Sequence, residues 1–435
     1  MKLWLFQIML NIRYSYWFIP SAMSLCAVML AAGLVATDIY LMPDIPPSLE
    51  WLFNSNPDGA RALLSTVAGS TITVAGVVFS MTILSVSHAT ANYGSRLLLR
   101  FLEDHRNQFT LGMFTATFIY CLLVLRTVSS GDGNQVTDFV PHLAILMAVT
   151  LSVISVAVLI AFIHHVPDTI HIGEVTADRG KTLITRLEHL FPNETPPQFV
   201  ESTIASDLVL GSKGFGYIQA MDIEGILKYA TQNDVCVTAR KGPGKFISTN
   251  EPLFDVAGDL EDADAVRQRL SDFYNLGPER TPTQDVRFLI EELVQIAARA
   301  LSPGINDPYT ANTCMDWLGN GVAASVNHTH RGGVLMDDQG RLRVRVPTYT
   351  FADLCESIFS SMRPYVTTDY NAMLHMAEVF KSILNCANEG QNKQCVLSHV
   401  TAYLTDALEH HTSANNQNGI RRAYAQFEAY QQGAN

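Results

Sequence analysis

The residues best suited to chemistry are hydroxyl groups concentrated in one apolar segment. Residues 62–95 contain no Asp, Glu, Lys or Arg, yet they are rich in Ser, Thr, Gly and Ala. Alternating steps of four and three follow one face of a helix, and on that face small residues recur: Ser65, Gly69, Thr73, Gly76, Ser80 and Ser87. They are pore-lining candidates, because polar groups that line a water-filled path contact a permeating ion. The alternative is close helix packing, since small residues let two backbones approach.

Arginine side chains lie at both ends of this segment. Arg61 precedes it, and Arg96 and Arg100 follow it. They are pore-end charge candidates, because positive charge at a pore mouth attracts anions. The alternative is that they anchor the helix ends at the membrane–water interface.

A polar corner far along the chain is a third candidate site. Residues 302–308 read Ser-Pro-Gly-Ile-Asn-Asp-Pro and follow an amphipathic segment. Arg299, Asn306 and Asp307 are candidates for binding a cytoplasmic ligand. The alternative is a rigid corner between two helices, with Asp307 as N-cap and Pro308 as the first helical residue.

Other kinds of site have no recognisable pattern. The sequence shows no nucleophile with a base, no metal-ligand spacing and no phosphate-binding loop. The seven cysteines include no Cys-x-x-Cys pair, so zinc-ribbon and thioredoxin-like sites have no support, and the five in the second half of the chain should be reduced in the cytosol. A possible metal-binding cluster lies close in sequence at His164, His165, Asp168 and His171, but Pro167 interrupts the helical spacing that a metal site would need. We therefore expect no enzyme activity, no cofactor and no bound metal.

The chain has two halves of different composition. The hydroxyl-rich segment lies in the first half, which is poor in charged residues. The first 165 residues contain 7 basic and 8 acidic side chains, whereas the other 270 contain 22 and 33. Four uncharged stretches, 14–37, 62–95, 107–125 and 139–167, each approach the roughly 20 residues that cross a bilayer. The first half is therefore predicted to be four transmembrane helices. The acidic excess of the second half argues against nucleic-acid binding, which needs a basic surface.

The basic residues predict the orientation of these helices. Lys2 and Arg13 precede the first stretch, and Arg106 lies with two further arginines after the second, while the first and third loops are acidic. Because Lys and Arg accumulate on the cytoplasmic side, both termini and the 270-residue remainder are predicted to be cytoplasmic. The fold class is thus an α-helical membrane domain followed by an α+β cytoplasmic region.

Three domains are expected along the chain. Residues 1–168 form the four-span transmembrane domain, residues 169–277 an α+β domain with sandwich-like strands, and residues 278–435 a mainly helical domain with one hairpin. In the second domain, Asp222 is a predicted N-cap, and residues 242–244 (Gly-Pro-Gly) predict a turn between two strands.

The third domain is predicted to contain several regular elements. Residues 334–346 read as a hairpin, and helices are expected around 351–363, 369–387 and 393–410. The last residues, rich in Gln, Asn, Ala and Gly, predict a loose tail.

Several strings together resemble a known family over nearly the whole chain. They are ARALLSTVAGSTITVAGVVFSMTILSVS (60–87), YGSRLLLRFL (93–102), TFIYCLLVLRT (117–127), GYIQAMD (216–222) and ALSPGINDPYTA (300–311). The chain resembles the bacterial membrane-protein family catalogued as domain of unknown function 2254. That resemblance implies a four-span protein of the inner membrane with a cytoplasmic region, and it implies no activity.

Two functional hypotheses follow. The first is a homo-oligomeric channel for a small ion in the lipid bilayer, with the hydroxyl-rich second span lining the path and the cytoplasmic domains assembling or gating it. The second is a non-conducting sensor or scaffold whose cytoplasmic half binds a ligand or partner. They differ in what the small residues of the second span contact.

Overall fold

The computed structural model describes residues 17–41, 56–94, 104–130, 139–170, 172–192, 207–258, 262–330 and 332–432. The chain divides into two compact units, which are described separately below. The N-terminal unit ends before Ile172, and the C-terminal unit contains the residues from Ile172 onward.

Long helices build the N-terminal unit: α1 (Phe18–Leu41), α2 (Pro57–Tyr93), α3 (His105–Thr127) and α4 (His142–Ile170). Each contains a stretch that is long and apolar enough to cross a membrane. A helix suits these sequences because lipid offers no partner to a free backbone N–H or C=O. The four predicted spans are therefore confirmed. The interruption predicted at Pro167 is wrong, since α4 continues to Ile170; one missing backbone donor does not stop so long a helix.

Helix α3 is the centre of this unit and packs against the other three helices. Tyr120 is fully buried there, and its hydroxyl donates to the Ala144 carbonyl of α4 at 2.8 Å. Small and aliphatic side chains surround it in one apolar cluster that includes Ala31, Leu64 and Val124. Small residues such as Ala31 and Ala144 let these helices approach closely.

The C-terminal unit contains both helices and strands, which confirms the predicted α+β class. Its strands are β1 (Leu208–Gly211), β2 (Gly216–Met221), β3 (Cys236–Ala239), β4 (Phe246–Ile247), β5 (Pro252–Ala257), β6 (Tyr274–Gly277), β7 (Val334–Met336) and β8 (Leu342–Arg345). Its first helices are α5 (Ile172–Leu190), α6 (Ile223–Gln232), α7 (Ala263–Ser271), α8 (Val286–Ala300) and α9 (Pro308–Ser325). The later helices are α10 (Phe351–Cys355), α11 (Ser361–Val366), α12 (Tyr370–Cys386), α13 (Gln391–His410), α14 (Ala414–Ala425) and α15 (Phe427–Gln432).

The strands form two sheets. One has the order β1-β5-β3-β8-β7 and is antiparallel except where β3 runs parallel to β8, with Val237 opposite Val344. The other is antiparallel with the order β4-β2-β6. The larger sheet takes strands from both sides of residue 278, at which the sequence predicted a domain boundary.

Both sheets share one core with α6 and α7. Ile218 of β2, Ile226 of α6 and Val256 of β5 are fully buried in it. Asp222 begins α6 as predicted, because its Oδ1 accepts the Gly225 N–H at 2.9 Å. The predicted turn between β3 and β4 is also present, with Gly244 at φ +83°, a conformation that favours glycine.

The remaining helices form a second packed region around α5, α8 and α9. The predicted hairpin is present as β7 and β8, and the predicted helices appear as α10–α11, α12 and α13. The prediction of a loose tail is wrong, because α14 and α15 occupy that segment. Ile420, Tyr424 and Phe427 recur at helical spacing and are buried, so they attach this polar segment to the unit.

Candidate functional site on the second membrane helix

Helix α2 is longer than a bilayer requires. Its 37 residues extend about 55 Å at 1.5 Å per residue, against roughly 30 Å for the hydrocarbon core. Pro57 occupies the first turn, where its missing N–H has no cost. At the other end, the Gly94 N–H donates to the Thr90 carbonyl at 3.1 Å, and Gly94 has φ +115°.

One side of α2 is buried against other helices of the same chain. Leu64 and Ala68 contribute to the cluster around α3, and Ala75 and Val78 pack with Phe114 in a second cluster. This buried side is mainly aliphatic and contains none of the pore-lining candidates.

The pore-lining candidates occupy roughly the opposite side of α2, since successive residues turn by about 100°. All six are exposed on the surface of the chain: Ser65, Gly69, Thr73, Gly76, Ser80 and Ser87. A Cβ added at Gly69 or Gly76 would have no heavy atom within 4 Å. The small residues of this side, which we call the small-residue face, therefore do not pack against the other described helices of the chain.

The hydroxyl groups on and beside the small-residue face are bonded to the helix itself. Thr66 donates to the Ala62 carbonyl at 2.7 Å. Thr73 and Ser80 donate to the carbonyls of Gly69 and Gly76, each at 2.8 Å. Each hydroxyl hydrogen is thereby used, while the oxygen keeps acceptor capacity for water or a cation. The face thus combines an uncharged surface with available oxygen atoms.

Arg61 ties the start of α2 to the end of α3. Its guanidinium donates to the Val128 carbonyl and to the Ser130 hydroxyl, both at 3.2 Å, and lies 3.9 Å from the Asp58 carboxylate. A cation at the C-terminal end of a helix is favourable because free carbonyls are concentrated there. These contacts indicate an anchoring role. Arg96 and Arg100 lie outside the described residues.

Asp38 has a structural role that sequence reasoning missed. Its two carboxylate oxygens accept the N–H groups of Leu143 and Ala144 in the first turn of α4, both at 3.1 Å. Those donors have no partner within their own helix, and a negative charge is favoured at that end. Asp38 was visible in the sequence as an acidic residue after the first span, whereas its distant partner, the start of α4, was not.

The polar corner between α8 and α9 has the features of the alternative interpretation, a corner between two helices with Asp307 as the N-cap. Asp307 accepts the Thr310 N–H at 3.2 Å and the Thr310 hydroxyl at 2.5 Å, and its own N–H donates to the Ala300 carbonyl at 2.8 Å. Asn306 is exposed at φ +52°, which asparagine tolerates. Arg299 is half-buried at the end of α8. The three candidates are thus neighbours on one corner, and the Asp307 carboxylate serves as a helix cap.

A charge network joins the hairpin to the turn that precedes β3. Asp337 accepts from Nε of Arg343 at 2.9 Å and from Nε of Arg341 at 3.0 Å, and Asp234 pairs with both arginines. Burial of Asp337 opposes its ionisation, but the hydrogen bonds from the Arg341 backbone, the Arg343 side chain and the Gln339 backbone outweigh it and lower its pKa to about 2.

Comparisons with known proteins identify the family. Proteins named as uncharacterized from Mycobacterium tuberculosis and Mycobacterium bovis are each 29% identical to this chain over 351 residues. The aligned part is 78% of this chain and 66% of each relative, so the chain spans about two thirds of the length of these relatives. No solved structure matches. The family model described as Predicted membrane protein (DUF2254) matches residues 13–382. With its four apolar helices, the chain therefore belongs to this family of membrane proteins.

Proposed function

We propose that this protein is an oligomeric channel of the bacterial inner membrane. In this proposal the small-residue face of α2 lines the path of a small ion, and several copies surround one axis. Both termini and the C-terminal unit lie in the cytoplasm, in agreement with the distribution of basic residues. The C-terminal unit then assembles or gates the channel.

The observation that carries the proposal is the exposure of the small-residue face. Gly69 and Gly76 have open space beside them, and the apolar core of the unit lies on the other side of the helix. One subunit with a single hydroxyl-rich helix has too few such helices to enclose a path. Repetition of α2 around a symmetry axis would supply the rest of the wall.

The hydroxyl oxygens favour a water-filled path. Thr73 and Ser80 have satisfied their hydrogens within α2, so the free lone pairs of their oxygens are what the face presents. Water or a partly hydrated ion can use those lone pairs. Lipid chains cannot.

The second hypothesis is a non-conducting sensor or scaffold. In that case the small-residue face packs tightly against another copy and no path remains. The exposed face supports both hypotheses, and the hydroxyl oxygens favour the first.

A measurement of ion flux into liposomes tests whether the protein is a channel or a non-conducting scaffold. Purified protein in liposomes should conduct, and Thr73→Leu or Ser80→Leu should remove most of the flux, because a bulky apolar side chain narrows the path and displaces water. Met81→Leu is the matched control: Met81 is also exposed on α2, but it lies off the small-residue face and is apolar already, so flux should persist.

Crosslinking in the same samples separates the hypotheses. In a background in which all seven cysteines are replaced by serine, Thr73→Cys should crosslink between copies, and Met81→Cys, which is exposed on α2 but off the small-residue face, should not. Crosslinking at residue 73 without flux from the unsubstituted protein would support the scaffold. Failure to crosslink at residue 73 would contradict both forms of the oligomer.

A further inference from the structure

The smaller sheet of the C-terminal unit has aromatic side chains on its outer face. Ile218 of β2 and Ile247 of β4 are fully buried in the core. Because alternate residues of a strand face opposite sides of a sheet, their neighbours Tyr217 and Phe246 lie on the other face. Tyr217 and Phe246 are opposite each other in the pairing of β2 with β4, and their ring centroids are 5.2 Å apart in an edge-to-face arrangement.

Two phenylalanines at this end of the sheet are open to solvent. Phe246 is 48% exposed, and Phe215, which precedes β2 by one residue, is 72% exposed. Phe215 is only two residues from Tyr217 along the chain, so all three rings belong to the same end of the sheet. A single exposed apolar residue is ordinary on a protein surface, but a group of them is typical of an interaction site.

The two segments that carry these rings are basic. One runs from the start of β1 to the end of β2 (208–221), and the other from the start of β3 to the end of β4 (236–247). Together they contain four basic and no acidic side chains, although acidic residues outnumber basic ones by 33 to 22 in the second half of the chain. The four basic residues are Lys213, Arg240, Lys241 and Lys245.

Two of these four charges are not neutralised within the unit. Arg240 and Lys241 are paired with neighbouring carboxylates. Lys213 and Lys245 are exposed, and neither forms a salt bridge with a residue that the structure describes. The Lys213 ammonium donates instead to the uncharged side chain of Gln268. The exposed rings are thus accompanied by positive charge in a unit that is acidic as a whole.

We propose that Lys213, Phe215, Lys245 and Phe246, which we call the docking patch, bind the surface of an anionic phospholipid bilayer. The two ammonium groups attract the phosphate groups of the lipids, and the two rings enter the boundary between headgroups and acyl chains. Tyr217 suits the same boundary, because its ring is apolar and its hydroxyl is polar.

A bilayer is the partner that this chain always has nearby. The same polypeptide contains four helices that are long and apolar enough to cross a membrane. The headgroup layer is therefore present at a high effective concentration for the C-terminal unit, so weak contacts are sufficient for reversible docking. This inference goes beyond the proposed function and holds whether or not the protein conducts ions.

A fluorescent reporter beside the docking patch tests the proposal in the full-length protein. All seven cysteines are replaced by serine, and Thr249→Cys, exposed in the turn after β4, is labelled with an environment-sensitive dye. The protein is placed in nanodiscs of phosphatidylcholine alone or with added phosphatidylglycerol. We expect phosphatidylglycerol to shift the emission to the blue and to allow quenching by brominated acyl chains. The same dye at Asn418→Cys, exposed on α14, is the control and should respond to neither.

Variants separate the contributions of charge and rings. Lys213→Ala with Lys245→Ala should lower the ratio of docked to undocked protein by about thirtyfold, the effect of two basic residues near an anionic surface. Lys228→Ala with Lys381→Ala removes the same charge from α6 and α12 and should leave the ratio unchanged. Phe215→Ser should weaken quenching by brominated chains, whereas Tyr309→Ser, at another exposed aromatic residue, should not.

Hydrogen exchange of the unsubstituted protein provides a second measurement that needs no variant to fold. In the same nanodiscs, residues 213–217 and 245–249 should exchange more slowly when phosphatidylglycerol is present. Equal exchange and equal emission in the two lipids would overturn the proposal. A blue shift that follows the number of copies per nanodisc and not the charge of the lipid would also overturn it, because another copy of the chain would then be what covers the patch.

Discussion

Replacing Gly69 and Gly76 together by alanine tests whether the small-residue face of α2 contacts another copy of the chain. In the part of the single chain that the structure describes, neither added methyl group has a heavy atom within 4 Å. Alanine also favours a helix over glycine by about 0.5–1 kcal/mol per position. The isolated chain should therefore be as stable as before or more stable, by up to about 2 kcal/mol.

The oligomer should respond in the opposite direction if copies approach closely at this face. A methyl group forced into a packed interface typically costs about 1–3 kcal/mol. Since every 1.4 kcal/mol is a factor of about ten in an equilibrium constant, self-association should weaken by about tenfold or more. If the face lines an open path instead, association should persist, and the two methyl groups should reduce flux.

The assay measures unfolding of the detergent-solubilised protein, its subunit number and its flux in liposomes. Gly33→Ala is the matched control, because Gly33 lies on α1 and an added Cβ there also meets nothing within 4 Å. The reasoning is refuted if the double variant behaves as Gly33→Ala does in association and in flux. Such a result would mean that the small-residue face contacts only lipid.

Two further predictions concern charged residues outside that face. Asp38→Ala should destabilise the start of α4 by about 1–2 kcal/mol, because the N–H groups of Leu143 and Ala144 lose a charged acceptor. Faster hydrogen exchange at residues 142–147 would show this, and Asp58→Ala, at an exposed carboxylate, should leave that segment unchanged. The lowered pKa of Asp337 makes its ionised form a stabilising group above about pH 4, and that contribution is lost as the pH falls toward 2. Acid unfolding followed by circular dichroism should therefore be less steep for Asp337→Asn, and identical profiles would contradict the assignment.

Local chemistry predicted much of the fold. The four spans were visible because each uncharged run is sufficient by itself to choose a helix in lipid. Asp222 and the Asp307–Pro308 pair were recognised as helix starts, since a cap needs only neighbours within three residues. The same spacing was present in the tail, where Ile420, Tyr424 and Phe427 indicate an amphipathic helix. Burial of these three side chains holds the helices in place although the residues around them are polar.

Contacts between distant residues could not be predicted in this way. The parallel pairing of β3 with β8 joins residues about a hundred positions apart, and neither strand carries a signal for the other. Asp38 and the start of α4 are a similar case. For α2, the sequence identified the small-residue face but could not indicate whether that face is buried within the chain, because burial depends on where α3 and α4 pack.

Because the small-residue face is exposed, packing within the chain does not explain why it contains glycine. A helix side that contacts only lipid gains nothing from glycine, which is less favourable than alanine in a helix by about 0.5–1 kcal/mol. Close packing within the chain would have offset this loss, but among the described residues no heavy atom lies within 4 Å of a Cβ added at Gly69 or Gly76. Contact with another copy, or room for a path between copies, would offset it. A dry interface would have to supply partners for the oxygens of Thr73 and Ser80 from the second copy, whereas water in a path supplies them directly. The lone pairs on this face are therefore the reason to favour the channel over the scaffold.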